Sequence, residues 1–311
     1  MISIKKYTHE MVEEWDGFVR VSRMPMFMFE RGFMDYHSDR FEDFSLMFFR
    51  DDELIAVLPA SRHGVELRSH GGLTYGGFIY GEKMKQHTML ECFDCLKLFC
   101  KGNGVESVLY KCIPHIYCRY PAEESAYALF LNNAKLEKIE PATVVNLKCP
   151  YKMPKGRKAQ ISRAIREGVV VCETEDFESF LKLENEVLLC RHGVKAVHTS
   201  AEMRLLHQRF PGSVRCVVAF IGGDLIAGSV LFVYGNVVHT QYLAANDKAR
   251  EIGALDLVVS RIIEKYRLSH DFLDFGISSE NCGRMLNEGL ISQKEGFGGR
   301  TNVYETWRIM S

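Results

Sequence analysis

A strand–turn–strand pattern occurs twice in this chain, in places far apart, and a fold that repeats a hairpin this way is built from two related halves. Residues 44–61, FSLMFFRDDELIAVLPAS, alternate into a strand, turn on Asp51 and Asp52, and run into a second apolar strand. Residues 214–233, VRCVVAFIGGDLIAGSVLFV, repeat the scheme around Gly222, Gly223 and Asp224. Both second strands open on Leu-Ile-Ala, at residues 54–56 and 225–227.

The elements beyond each copy also correspond. After the second hairpin, Tyr234-Gly235-Asn236 supplies another turn, and VVHTQYLAA (237–245) reads as a third strand. A helix is predicted over 247–266, where Ile252, Leu255, Val259, Ile262 and Ile263 share one face, and the strand FLDFGI follows it. In the first half a helix near 84–101 precedes the strand VESVLYK. This is an α+β plan of mixed, mainly antiparallel sheets flanked by helices. Between the halves lies YKMPKGRKAQISRAIREGVVV (151–171), whose Pro154 and Gly156 break structure before a short basic helix ending at Gly168. The boundary is therefore placed near residue 150, giving lobes 1–150 and 151–311, a division that suits 311 residues. Further helices are predicted over 176–190 and 200–208, the second introduced by Thr199 or Ser200 with Glu202 nearby.

Composition narrows the function classes. Thirty-nine Lys and Arg against 40 Asp and Glu leave a net charge of −1, so no global field draws in DNA or an anionic membrane, and any basic site must be local. No stretch reads as a transmembrane segment, and the acidic, aromatic start MISIKKYTHEMVEEWDGF lacks the apolar run of a signal peptide, so a cytoplasmic location is expected. The ten cysteines then read as buried or incidental thiols. Cys92 and Cys95 form a C-x-x-C, but Met89, Phe93, Leu96 and Cys100 place them on an amphipathic helix, and no metal is expected.

Five segments, KGRKAQISRAIREGVVV, GGDLIAGSVLFVYGNVVHTQYLAAN, ALDLVVSRIIEKY, FLDFGISSE and LNEGLISQKEGFGGRTNVY, together resemble in order the Fem-type peptidyltransferases and Fem-like acyltransferases of the GNAT superfamily, with SHGGLTYGGFIYG a weaker match. The resemblance implies two GNAT-like lobes in tandem, with the active site in the second. It implies transfer of an acyl or aminoacyl group to an amine of a cell-envelope or polysaccharide precursor, or of another small amine-bearing metabolite. The activated donor would be acyl-CoA, an acyl-carrier protein or an aminoacyl-tRNA. An acetyl-CoA-dependent amino-sugar N-acetyltransferase and an inactive, ligand-binding GNAT pair stand as alternatives.

Amine acylation needs a neutral amine, a donor carbonyl held against it, and hydrogen-bond donors where oxyanion charge develops. The resemblance maps Lys294 onto the lysine before the family's glycine-phenylalanine-glycine turn, facing the reacting groups; by itself the residue reads as a solvated lysine before a tight turn. Asp274, among Phe272, Leu273 and Phe275, is either a base or a carboxylate that bonds backbone amides of the Gly276 turn. His239 and Tyr242 lie three apart on one strand and should point to opposite faces, with Tyr242 toward the site. Arg250, Gly253 and Ala254 fall in the Gln/Arg-x-x-Gly-x-Gly/Ala pattern that cradles the CoA pyrophosphate, although Leu255 departs from it. Arg157 and Lys158 could meet donor phosphates or form a solvated helix face. Tyr75, beside the glycine pairs of HGGLTYGGF, is a candidate substrate contact. A Cys190–His192 thiol mechanism is discounted for want of an orienting Asp or Asn.

Overall fold

The computed structural model describes residues 1–191 and 193–311. It divides into two compact units, one of Met1–Pro141, Ser279–Met285 and Val303–Ser311, the other of Ala142–Ser278 and Leu286–Asn302. This differs from a cut at residue 150. The border falls inside the strand Lys135–Asn146, where no loop composition marks it, and Pro154 is instead the N-cap of the helix Lys155–Arg166. The C-terminal strand Arg300–Met310 likewise has residues in both units.

In the first unit, strand Leu46–Arg50 pairs with Glu53–Leu58 through a turn whose Asp51 and Asp52 have φ of 50° and 62°. Two successive left-handed residues make the turn whose twist suits a two-residue hairpin. Ile2–Lys6 and Ile79–Tyr80 complete a four-stranded antiparallel sheet. Helix Gln86–Gly102 buries Met89, Cys92, Phe93, Leu96 and Cys100, the stripe read from the sequence. Burial pushes the Cys92 and Cys100 thiols up to about 12, so both persist as neutral core groups rather than the thiolates that bind metal. Tyr75 is also core, packed against Tyr117 and edge-on to Tyr304.

The second unit repeats the hairpin with glycines: Gly222 and Gly223, at φ 59° and 91°, join Val214–Ile221 to Asp224–Val233. Its strand order is Val170–Thr174, Val214–Ile221, Asp224–Val233, Val237–Ala245, Phe272–Ile277 and then residues 142–146. All neighbours are antiparallel except Val237–Ala245 with Phe272–Ile277, which run parallel. That parallel pairing covers only 237–239 against 272–274, so the two strands part and residues 240–245 carry no ladder on that side.

Helix Ala254–Tyr266 covers one face of this sheet, where Val238, Leu273, Val258, Val259 and Ile262 form a common core. Phe180 of helix Phe177–His192 covers the other: a Cβ on Gly228 would come within 2.9 Å of its ring, whereas the adjacent Ala227 belongs to the first core. Asp176 caps Phe177–His192 through Ser179 N, and a complete capping box of Thr199 and Glu202 starts Ser200–Arg209. The helix expected over 247–266 is broken in two, Asp247–Ile252 and Ala254–Tyr266, because Gly253 takes a φ of 76° between them. Among the described residues, no helix is long and apolar enough to cross a membrane.

Candidate active site

Where the two parallel strands part, the second unit holds a cavity of about 570 Å³. Its walls are residues 240–245 of the unpaired strand end, the start of Ala254–Tyr266, the later half of Phe177–His192, and helix Glu288–Glu295 with Phe297. The gap in the sheet thus gives a ligand access to backbone that a continuous ladder would close.

Lys294 enters this cavity from the last turn of Glu288–Glu295, a helix capped by Asn287 on Leu290 N. It is not the solvated lysine that its glycine neighbours suggest, for only 7% of it is exposed. Its Nζ donates to Gly276 O at 3.0 Å and Ile277 O at 2.6 Å, which leaves one N–H of the ammonium for the cavity. Burial pushes the ammonium down to about 8, opposed by the charge of Asp274. The glycines that follow serve packing: a Cβ on Gly298 would meet the Tyr151 ring at 2.6 Å, and one on Gly299 would meet Thr143 Cγ2 at 2.3 Å.

Asp274 stands behind Lys294 and does not line the cavity. It is fully buried, its Oδ1 accepts Gly276 N at 2.7 Å, and its Oδ2 lies 3.5 Å from His239 Nδ1. The Gly276 turn therefore takes one carboxylate oxygen, as the plainer sequence reading had it. His239 is also outside the cavity wall.

Tyr242 does line the cavity, and its orientation relative to His239 is a correction. The ladder steps from Leu231 opposite Thr240 to Val230 opposite Tyr242, so Gln241 is an extra, bulged residue. Val238 and Leu243, five apart, consequently contact the same core, and His239 and Tyr242 share the opposite face rather than lying on two. The Tyr242 hydroxyl accepts His198 N at 3.2 Å and lies 2.6 Å from His198 Nδ1. Burial pushes the phenol up to about 12, moderated by that backbone bond, with the charge of Glu184 adding to the rise.

Neither His198 nor Glu184 was singled out from sequence. Glu184 sits on the buried stripe of its helix, one turn beyond Phe180 and Leu181, lines the cavity, and is only 5% exposed. A carboxylate in phase with core positions is a signal the sequence does contain.

Residues 155–282 match the family model of an acetyltransferase (GNAT) domain. Among solved structures, the fold is similar to FemX (TM-score 0.68, 10% identity, 97% of this chain and 96% of that one). It is also similar to L-PGS from Bacillus licheniformis (TM-score 0.59, 15% identity, 85% and 83%) and to a tandem GNAT protein from the clavulanic acid biosynthesis pathway (TM-score 0.56, 9% identity, 100% and 98%). No curated protein matches the chain by sequence. The chain carries a GNAT acetyltransferase domain over residues 155–282 and has the Fem-like tandem fold.

In the segment of this GNAT domain expected to cradle a pyrophosphate, the amides of Arg250 and Gly253 are already engaged. Arg250 N donates to Asn246 O and Gly253 N to Ala249 O, at the two caps of the short helix Asp247–Ile252. Arg250, Gly253 and Leu255 line the cavity, whereas Ala254 is fully buried away from it. A Cβ on Gly253 would sit 2.6 Å from Gln160 O, so this glycine serves close helix packing. At the start of Ala254–Tyr266, Asp256 puts a carboxylate in the first turn and pairs with Arg157. Arg157 also donates to Gln293 O at 2.9 Å and stacks 4.1 Å from the Phe297 ring centroid, fastening two walls of the cavity to its own helix. Lys158 is exposed and Tyr75 belongs to the other unit, so neither joins the cavity group. Cys190 is exposed, and His192 lies outside the described residues.

Proposed function

We propose that this acyltransferase moves an acyl or aminoacyl group from an activated donor to an amine of a cell-envelope or polysaccharide precursor, in the cytoplasm. The observation that carries the reading is that Lys294 and Tyr242 line one cavity at the parted strands of the GNAT domain. Acyl transfer requires the acceptor amine to attack a carbonyl carbon, and negative charge then collects on the carbonyl oxygen. The remaining N–H of Lys294 supplies a charged donor for that oxygen, and one such donor contributes about 10²- to 10³-fold to kcat. Asp274 and His239 act at one remove, by holding the turn whose carbonyls grip Lys294. The folds of FemX and L-PGS support an aminoacyl donor and a cell-envelope acceptor. The engaged amides and the Arg157–Asp256 pair at the helix start argue for a donor bound otherwise than by the pyrophosphate of acetyl-CoA.

The test is a transfer assay on the purified chain with acyl-CoA, acyl-carrier protein and aminoacyl-tRNA donors, each against a panel of amino sugars and muropeptide amines. Transfer from a carrier or tRNA donor is the expected result. Transfer from acetyl-CoA alone to an amino sugar would give the acetyltransferase reading, and silence across the panel with folded protein would leave a ligand-binding GNAT pair.

A further inference from the structure

We infer that the Glu184 carboxylate receives the acceptor's ammonium group in this cavity and takes its proton. The inference rests on the proposed acyl transfer and assigns the group that reaction still lacks, a base for the amine.

Four observations meet at this residue. Glu184 lines the cavity and is more than nine-tenths buried. Among the described residues its Oε2 has no hydrogen-bond partner, an expensive state for a carboxylate unless a ligand fills it. The helix holds it rigidly, between Phe180 and Leu181 on one turn and the cavity-lining Val187 and Leu188 on the next. The same cavity is lined by the group proposed for the oxyanion, Lys294, so a base and a charge-stabilising donor line one space.

The surrounding charges leave the assignment intact. Tyr242 faces Glu184 from the strand, with His198 bonded behind it, and Arg191 lines the cavity from Glu184's own helix. Arg157, Asp256, Arg250 and Lys294 line the remaining walls. On helix Ser200–Arg209, Arg204 faces Glu178 and His207 faces Glu175, so neither competes for Glu184. Burial pushes the Glu184 carboxyl up to about 7, which sets its proton affinity where a base must work at neutral pH.

The protons and bonds balance as follows. The entering ammonium gives one proton to Glu184, and the neutral amine attacks the donor's thioester or ester carbon. The C–N bond forms and the bond from carbon to sulfur or oxygen breaks as the tetrahedral intermediate collapses. The second nitrogen proton leaves with the departing thiol or hydroxyl, and Glu184 releases its proton to solvent.

The experiment follows the carboxyl directly, by carbon-13-edited infrared titration of the full chain labelled at glutamate, in wild type, Glu184→Gln and Glu184→Asp. One carboxyl titrating near pH 7 in wild type and missing from Glu184→Gln is expected. Methylammonium chloride should lower that midpoint relative to sodium chloride of equal strength, because the cation binds the ionised form. A midpoint near 4.5, or one that methylammonium leaves unmoved, overturns the inference. This arm needs no donor, so it separates failure of the base from failure of the acyl-transfer reading. With a working donor, Glu184→Gln should lower kcat/KM by about 10²- to 10⁴-fold and lose the acid limb of the pH profile, while Glu184→Asp keeps the limb at a reduced rate. A folded Glu184→Gln that retains rate and limb also overturns it.

Discussion

Replacing Lys294 by Met removes a buried ammonium while keeping a long flexible side chain in its channel, and its effect on stability should depend on pH in a calculable way. An unfolded chain holds the lysine proton up to its ordinary value of 10.5, whereas burial lets the folded protein release it at about 8. Between those values the unfolded state binds one more proton than the folded state, so the stability contributed by this residue rises with pH across the window. The shift corresponds to roughly 3 kcal/mol, at about 1.4 kcal/mol per pKa unit. Below pH 8 the whole penalty is present; above 10.5 it is gone. Lys294→Met carries no such group, so the wild-type advantage over the variant should grow by roughly 3 kcal/mol between pH 7 and pH 10.5. Urea denaturation of both proteins in steps across that range measures it, since titrations common to the two cancel in the difference. At pH 7 the carbonyls of Gly276 and Ile277 lose their donor in the variant, at about 1–3 kcal/mol for each group left unmet, which offsets the relief of removing the charge. A wild-type-minus-variant difference that stays flat across the window would refute the reasoning and return Lys294 to the solvated lysine of a glycine turn. Transfer by Lys294→Met at neutral pH should fall by about 10²- to 10³-fold, the usual loss for one oxyanion donor.

Tyr242→Phe removes the acceptor of the 3.2 Å His198 amide bond and the oxygen beside His198 Nδ1; it should lower stability by about 1–2 kcal/mol in urea titration and reduce kcat more than it raises KM. Gly253→Ala places a Cβ 2.6 Å from Gln160 O at a φ of 76°, so it should lower stability by about 1–3 kcal/mol. Arg157→Ala leaves the buried Asp256 carboxylate without its ion pair and should destabilise by about 3–5 kcal/mol; a phosphate-binding arginine would instead raise the donor KM with little loss of stability. For the active protein, kcat/KM should follow a bell with limbs near pH 7 and pH 8, set by the buried Glu184 and Lys294, and a profile flat through that range would exclude both assignments.

The architecture was legible because it rests on local chemistry. Asp51-Asp52 and Gly222-Gly223 can both adopt two successive left-handed conformations, so the repeated hairpin announces itself through its turns. The Thr199–Glu202 capping box and the Met89–Cys100 stripe were legible for the same reason. The site was less so, because its geometry depends on register and burial. One bulged residue, Gln241, reverses the face of everything after it, so a count of three between His239 and Tyr242 misleads. Gly253 reads as a loop glycine in a phosphate pattern until the approach of Gln160 shows what its missing side chain makes room for. Lys294 looked solvated because the carbonyls that hold it lie on a strand far from it in sequence.

One physical cause shapes the two ionisable groups on which the proposed chemistry depends. In water a glutamate and a lysine differ by about six pKa units, so passing a proton from ammonium to carboxylate is uphill by roughly 8 kcal/mol. Burial disfavours both charges, raising Glu184 to about 7 and lowering Lys294 to about 8. The gap between them shrinks to about one unit, or roughly 1.4 kcal/mol. An acceptor amine desolvated in the same cavity would undergo the same depression as Lys294, bringing its proton within reach of Glu184 at neutral pH. On the proposed reading, the parted strands that open the cavity also create the low-dielectric space that would make an acceptor amine a nucleophile, and any substitution that floods the cavity with water should restore the ordinary pKa gap and slow transfer even with every named side chain in place.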